Sequence, residues 1–149
     1  MPPVEMHQAL DTAIDQVLTT MFFSDAERVE DCGAPPGDAV RASLAFHGEP
    51  SGRFYLWIEP AAARELTGAF LGLDAAEVHP PQIQETVREL ANMICGSFVS
   101  LFETEVLFLL DAPQIDGFDP PDPQRCCRRR LRLDAGELEI WLELEGGQS

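Results

Sequence analysis

The segment that starts at Pro80-Pro81 and runs to about Phe102 constrains the fold of this chain most, because its apolar residues recur at helical spacing. On a helical wheel with ~100° per residue, its main apolar residues fall within roughly 80° of one another. The pattern predicts a long amphipathic helix, the longest element of the chain, with its apolar face on the core. The residues of this face are Ile83, Val87, Leu90, Ile94, Phe98 and Leu101.

A polar row lies on the opposite side of the same wheel, within about 60°. Its members are Glu85, Glu89, Asn92 and Gly96. Asn has a low helix propensity, and Gly costs up to ~1 kcal/mol relative to Ala inside a helix, so neither is a natural choice for a face that only meets water. A small residue one turn beyond a carboxylate and an amide would let another surface approach closely. Periodicity alone nevertheless favours the simpler interpretation, a solvated face.

The remaining periodicities predict two more helices and five strands. Apolar spacing from Ala9 to Phe22 indicates an amphipathic first helix, and Pro60 and Gly72 bound a short second one. The order of elements predicts an α/β (α+β) sandwich with helices packed on a mainly antiparallel sheet. The predicted strands are Val40 to His47, Gly52 to Glu59, Val106 to Leu110, and a final hairpin built around Leu131 to Leu133 and Leu138 to Leu144.

Four expectations concern the C-terminal third of the chain. The continuous apolar run from Val106 to Leu110 suits a strand buried on both sides, and the Pro/Asp/Gly-rich segment from Asp111 to Gln124 suits a long loop. The last strand alternates leucine and isoleucine with glutamates and Trp141, which predicts one dry face and one face in solvent. This strand is also a candidate for a sheet edge that invites another chain.

Composition excludes several classes of function. At 149 residues the chain suits one domain, 1–149. Its 10 basic and 26 acidic residues give a net charge of −16, which argues against nucleic acid and anionic membrane surfaces as partners. The first twenty residues carry acidic groups and no long apolar core, and no window resembles a membrane span, so we expect a cytoplasmic protein.

Motifs for metal binding and for a self-contained active site are missing from the sequence. The four cysteines form no CxxC pair, which suggests reduced thiols. His7, His47 and His79 are widely separated without an HExxH motif and are expected on the surface or in loops, and no P-loop or nucleophile elbow is present. The basic stretch from Arg128 to Arg132 could either contact a partner or neutralise neighbouring strands, and the alternation of strand residues favours the second interpretation.

One segment resembles a known family. The sequence from Glu85 to Gly96, ETVRELANMICG, is similar to the signature of the CheC/CheX chemotaxis phosphatases, in which Glu and Asn are separated by two residues and a small residue follows. Upstream, the segments Leu44–Gly48, Gly52–Leu56 and Ala63–Gly72 resemble the same family in the same order.

The chain departs from the family pattern at three places. Glu85 stands where the family usually has Asp or Ser, and a family proline is best matched by Pro113, slightly early. CheC-type members carry a second Glu/Asn pair on the first helix, where this chain reads Asp15-Gln16-Val17-Leu18. A single Glu/Asn site resembles the CheX-like branch.

The resemblance implies a function and a mechanism. It implies a phosphatase of a phosphorylated CheY-like response regulator, in which Asn92 orients the attacking water and Glu89 pairs with a lysine of the regulator. Glu85, Arg88 and Gly96 would contact the partner. No cofactor of the chain's own is implied, since Mg²⁺ belongs to the regulator, and a homodimer with a sheet continued across the subunits is expected. The alternatives are a non-catalytic CheC-like binding module and a dimeric scaffold.

Overall fold

A computed structural model describes residues 3–22, 24–30, 37–48, 51–101, 108–116 and 118–145. Within these ranges the helices are α1 (Pro3–Met21), α2 (Pro60–Leu71) and α3 (Pro80–Ser100). The strands are β1 (Glu27–Val29), β2 (Val40–His47), β3 (Gly52–Ile58), β4 (Leu109–Leu110), β5 (Gln114–Ile115), β6 (Cys126–Arg132) and β7 (Glu137–Leu144). None of the helices in this part of the chain combines the length and the apolar character of a membrane span.

The strands form one antiparallel sheet with the order β1-β6-β7-β3-β2-β4, and β5 also pairs with β2. The predicted hairpin of β2 and β3 is present, with Val40 opposite Ile58 and Phe46 opposite Gly52. Helices packed on a mainly antiparallel sheet were the predicted fold class, and this prediction is confirmed.

The main core lies between the helices and one face of the sheet. Phe46 of β2 meets Phe98 of α3 edge to face, with ring centroids 6.0 Å apart, and both side chains are fully buried. Such aromatic pairs add about 0.5–1.5 kcal/mol beyond the burial of their area. The helices contribute Leu10, Ile14 and Leu18 from α1 and Leu90 and Ile94 from α3 to the same cluster. The apolar face predicted for α3 is therefore the side that anchors this helix to the sheet.

The opposite face of the sheet is also covered, which corrects two expectations about the last strand. β7 lies between β6 and β3 in the interior of the sheet and is not an edge strand. The middle of its second face does not meet solvent, because Trp141 is 1% exposed and packs against Trp57 at 4.8 Å, while Phe118 covers Trp57. Alternation correctly separated the two faces of β7, but it could not show that a distant segment covers the second one.

Glu139 of β7 is fully buried on this second face and is surrounded by charged partners. Its carboxylate accepts hydrogen bonds from Arg128 Nη2 at 2.5 Å and from Arg130 Nη2 at 2.7 Å. Trp141 Nε1 donates a third hydrogen bond at 2.8 Å, and the Arg128 guanidinium lies 4.4 Å from the centre of the Trp141 ring. We call these four residues the Glu139 cluster. A buried carboxylate is tolerated only with such partners.

The basic stretch of β6 is engaged with carboxylates of its own chain. Arg128 and Arg130 bind Glu139, and Arg129 Nε donates to Asp11 Oδ1 of α1 at 2.6 Å. Arg132 lies 3.8 Å from Glu137. These contacts agree with the interpretation that the stretch neutralises neighbouring elements.

The segment after α3 differs from its predicted form. Within the described residues, the predicted strand Val106 to Leu110 is reduced to β4, and Val106 and Leu107 lie outside them. Leu110 packs against the core, whereas Leu109 is 69% exposed, because β4 lies at the sheet edge and its side chains alternate between core and water. The predicted loop Asp111 to Gln124 contains β5 and the start of a 3-10 turn, Pro123–Arg125.

The described cysteines are not in disulfides, and two of them are poorly reactive. Burial raises the pKa of the Cys95 thiol to about 12, and burial followed by the nearby Glu143 carboxylate raises the pKa of Cys126 to about 12. These two thiols are therefore poor nucleophiles at neutral pH. Cys32 lies outside the described residues.

His7 departs from the expectation of a surface or loop histidine, because it is a half-buried residue of α1. Arg129 Nη2 donates to its Nδ1 at 2.7 Å, and Cys127 Sγ lies 3.6 Å from the same nitrogen. Burial, followed by the charge of Arg129, lowers the pKa of His7 in spite of the nearby Asp11 carboxylate. Burial acts to raise the pKa of Asp11, but hydrogen bonds from Arg129 and Arg28 outweigh it and lower this pKa.

These two shifts predict a protein that loses stability in acid. His7 is neutral in the fold, so its contribution is present above the unfolded pKa of about 6.5 and is lost as the pH falls through the lower folded pKa. The contribution of Asp11 is lost only below its unfolded pKa of about 3.8. We expect the urea midpoint to fall between about pH 7.5 and about pH 5.5 by more in the wild type than in His7→Gln. Equal falls in both proteins would contradict this assignment.

Candidate functional site

Helix α3 is fixed in the fold by its N-terminal cap and by its buried apolar face. It begins at Pro80, as predicted, and His79 is its N-cap residue. Gln82 Oε1 accepts a hydrogen bond from the backbone N–H of His79 at 2.8 Å, which satisfies a donor at the helix start. Val87 and Leu90 are each 1% exposed, and Ile94 and Phe98 are fully buried. Leu101, expected at the end of this apolar face, is instead 47% exposed because it follows the last helical turn.

The opposite side of α3 carries the predicted polar row. Glu85 and Glu89 are exposed, and Asn92 and Gly96 are half-buried. We call Glu85, Glu89, Asn92 and Gly96 the polar face of α3. The helix is continuous through all four positions. The carboxylate of Glu89 and the amide of Asn92 are therefore held one turn apart on a rigid element.

One carboxylate of the polar face already has a partner. Arg88 Nη1 donates to Glu85 Oε1 at 2.7 Å, an exposed pair at i, i+3 spacing. Such pairs contribute only about 0.3–0.5 kcal/mol to stability. The Nε atom of Arg88 is buried and has no hydrogen-bond partner among the described residues. Because Arg88 pairs with Glu85, it does not occupy the carboxylate of the neighbouring Glu89.

Glu89 and Asn92 make no hydrogen bond or ion pair with any other residue that the structure describes. Neither group is used to stabilise the subunit, so both are available to a second molecule.

Gly96 is not required by packing within the described part of the subunit. A Cβ atom built at this position would meet only Leu110 Cδ2, at 3.9 Å, an ordinary van der Waals contact. The helix nevertheless bears the cost of about 1 kcal/mol that glycine imposes relative to alanine. Packing within the described part of the subunit therefore does not explain the glycine. A glycine at this position would be explained if another protein surface approached the helix closely here.

A groove adjoins the polar face where the end of α2 meets the start of α3. Its volume is about 340 Å³, and its surface is almost entirely apolar. It was not predicted from the sequence, because its walls come from two helices and helical periodicity describes only one helix at a time. We call it the α2–α3 groove; it is lined by Phe70, Leu71, Pro81, Gln82, Glu85, Thr86 and Glu89.

The first helix lies beside α3 and carries no second Glu/Asn pair. Asp15 and Gln16 of α1 are exposed, and Ser97 Oγ of α3 donates to Gln16 Oε1 at 3.4 Å. Within the described ranges, no group of three or more His, Cys, Asp or Glu side chains could hold a metal ion. The candidate site consists of one carboxylate and one amide on the outer face of α3.

Residues 40–116, just over half of the 149, match the family described as "Chemotaxis phosphatase CheX". The chain belongs to the CheX family. The matched region contains all of α3 and the α2–α3 groove, so the candidate site lies within the part that carries the family pattern. A comparison with curated proteins gives no significant match.

Solved structures agree with this fold at low sequence identity. A chemotaxis protein from Desulfovibrio vulgaris Hildenborough is 19% identical, with a TM-score of 0.75 over 95% of this chain and 97% of that one. CheX from Vibrio vulnificus is 16% identical, with a TM-score of 0.75 over 97% and 99%. The CheX of a CheX-CheY-BeF3-Mg complex from Borrelia burgdorferi is 14% identical, with a TM-score of 0.69 over 92% and 96%.

Proposed function

We propose that this protein is a phosphatase that accelerates the loss of phosphate from the aspartyl phosphate of a CheY-like response regulator. The observation that carries the proposal is the pair Glu89 and Asn92, which lies on an exposed helix face in a CheX-family chain and makes no contact that serves the subunit. The Borrelia burgdorferi relative, crystallised with CheY, BeF3 and Mg²⁺, supports the choice of partner.

Asn92 would act by positioning water. In the reaction the water oxygen attacks phosphorus, the bond between phosphorus and the aspartyl oxygen breaks, and inorganic phosphate leaves a free carboxylate behind. The side-chain oxygen of Asn92 accepts a hydrogen bond from the water and holds it in line with the breaking bond, the role that a glutamine plays in GTPases. Mg²⁺ belongs to the regulator in this proposal, and this chain supplies alignment only.

Glu89 would set the register of docking by pairing with a lysine of the regulator. Glu85 and Arg88 form an ion pair at the edge of the contact, and Gly96 leaves room for the regulator beyond Asn92. The net charge of −16 provides no long-range attraction to an acidic regulator. Recognition therefore rests on these local contacts.

Replacing Glu89 with glutamine should raise the KM for the phosphorylated regulator roughly 10- to 100-fold, because the substitution removes one partner of an interfacial charge pair. Phosphate release at increasing regulator concentration measures this change. Glu65→Gln is a matched control, since Glu65 is an exposed glutamate of α2 that lines a different cavity, beside Asp134. Equal KM values for the two variants would refute the docking role of Glu89.

The activity itself is tested by following phosphate on candidate CheY-like regulators from the same genome, with and without this protein. The proposal expects a shorter lifetime of the phosphorylated regulator. Tight binding with an unchanged lifetime would show the alternative, a non-catalytic binding module, which the departures at Glu85 and Pro113 motivate. Absence of both binding and acceleration across the regulators would favour a dimeric scaffold.

We also propose a cytoplasmic homodimer, following the family resemblance. A sheet shared between subunits requires a free edge, and β7 cannot supply it from the sheet interior. Among the described strands, the edges are β1 and the side of β2 that carries β4 and β5. Light scattering of the purified protein measures its mass and distinguishes a dimer from a monomer.

A further inference from the structure

We infer that the α2–α3 groove receives an apolar side chain of the phosphorylated regulator, next to the lysine that Glu89 contacts. The inference rests on the proposed function and deepens it, because it assigns the affinity of the complex to a surface separate from the water-positioning amide.

The first support is the composition of the groove. Leu71 is 43% exposed at the end of α2, where Gly72 ends the helix in the left-handed conformation with φ 71°. A single exposed leucine is ordinary on a protein surface. Here Leu71, Phe70 and Pro81 line the same almost wholly apolar concavity, and Phe70 is held in place by stacking on Phe22 at 5.0 Å. An apolar concavity beside a few polar groups is the usual form of a binding pocket.

The second support is the charge at the side of the groove formed by α3. Glu85 and Glu89 both line it, and the Glu85 carboxylate is paired with Arg88. Glu89 has no described partner, so an occupant that matches the groove brings a cation to Glu89 and an apolar group beside it. A second copy of this chain would carry a further net charge of −16 to an acidic border. A regulator surface with a lysine beside an apolar side chain fits the charge better.

The third support is size. An engineered protein cavity of ~150 Å³ holds one benzene molecule. The α2–α3 groove, at about 340 Å³, therefore has room for one or two side chains of leucine or phenylalanine size.

Contacts made equally in the ground state and the transition state lower KM and leave kcat unchanged. The groove should therefore affect KM alone.

The test compares two leucine variants in two assays. Leu71→Gln should raise the KM for the phosphorylated regulator roughly fivefold to tenfold with kcat unchanged, and should weaken binding to a regulator activated with BeF3 and Mg²⁺ by the same factor. Leu101→Gln is the control, because Leu101 is also a leucine and similarly exposed, at 47%, but lies about 18 Å along α3 from Glu89. It should behave as the wild type.

The results separate this inference from the proposed function. If Leu71→Gln matches the control in KM and in binding, or if it lowers kcat alone, the groove is not a docking site, whether or not the protein is a phosphatase. If the wild type binds the activated regulator without accelerating phosphate release, the proposed activity fails. The binding assay then still tests the groove, and weaker binding by Leu71→Gln would support it. A small apolar molecule that binds the groove without competing with the regulator would overturn the inference.

Discussion

Replacing Asn92 with alanine should lower the kcat for phosphate release about 100-fold and leave the affinity for the activated regulator nearly unchanged. In the proposed mechanism, loss of the amide removes the group that holds the water in line, and misplacement of a reacting group by about 1 Å is enough for an effect of this size. In the proposed mechanism Asn92 contacts the water and the phosphoryl group, whereas Glu89 and the α2–α3 groove would carry the docking, so binding should change little. Rates of phosphate loss and titrations with the BeF3-activated regulator measure the two quantities separately.

The fold should tolerate this substitution. Asn92 makes no hydrogen bond within the described residues, and alanine has the higher helix propensity. Gln84→Ala is the matched control, because Gln84 is an exposed amide of the same helix about 100° away from the polar face. It should retain full activity. A variant Asn92→Ala that still accelerates phosphate release as the wild type does would refute the mechanism.

Replacing Glu139 with alanine should destabilise the protein by about 3 kcal/mol. The carboxylate is fully buried, and its removal takes away the acceptor that Arg128 and Arg130 share, whose side chains are only 18% and 15% exposed. Loss of one partner from a buried ion pair costs about 3–5 kcal/mol, and the partial exposure of the arginines places the expected value at the lower end. The Trp141 N–H also loses its acceptor in a buried position.

Urea denaturation measures this loss as a shift of the midpoint at constant slope. Glu137→Ala is the control, because Glu137 lies on the same strand and near Arg130 and Arg132, but at 3.8 Å and with a side chain 29% exposed. It should cost less than about 1 kcal/mol. Equal destabilisation by the two variants would show that the buried position of Glu139 does not make its ion pairs more important for stability than those of Glu137.

The Glu139 cluster and the polar face of α3 show which structural features a sequence pattern can predict and which it cannot. The two faces of α3 follow from a 3.6-residue period within one helix, so the positions of Glu89 and Asn92 relative to Val87 and Leu90 could be predicted locally. The same kind of argument separated the two faces of β7. It wrongly placed Glu139 in solvent, because exposure depends on Arg128, Trp57 and Phe118, which the chain brings there from elsewhere.

The sequence by itself determined the helices α1, α2 and α3, the hairpin of β2 and β3, the fold class and the family, because periodicity, helix boundaries and short motifs are properties of contiguous residues. Only the tertiary structure decided that β7 lies inside the sheet and that Leu109 faces water. It alone also showed that the ends of α2 and α3 enclose an apolar groove beside Glu89. Strand order, burial and cavities depend on contacts between distant segments, and no local pattern specifies which segments meet.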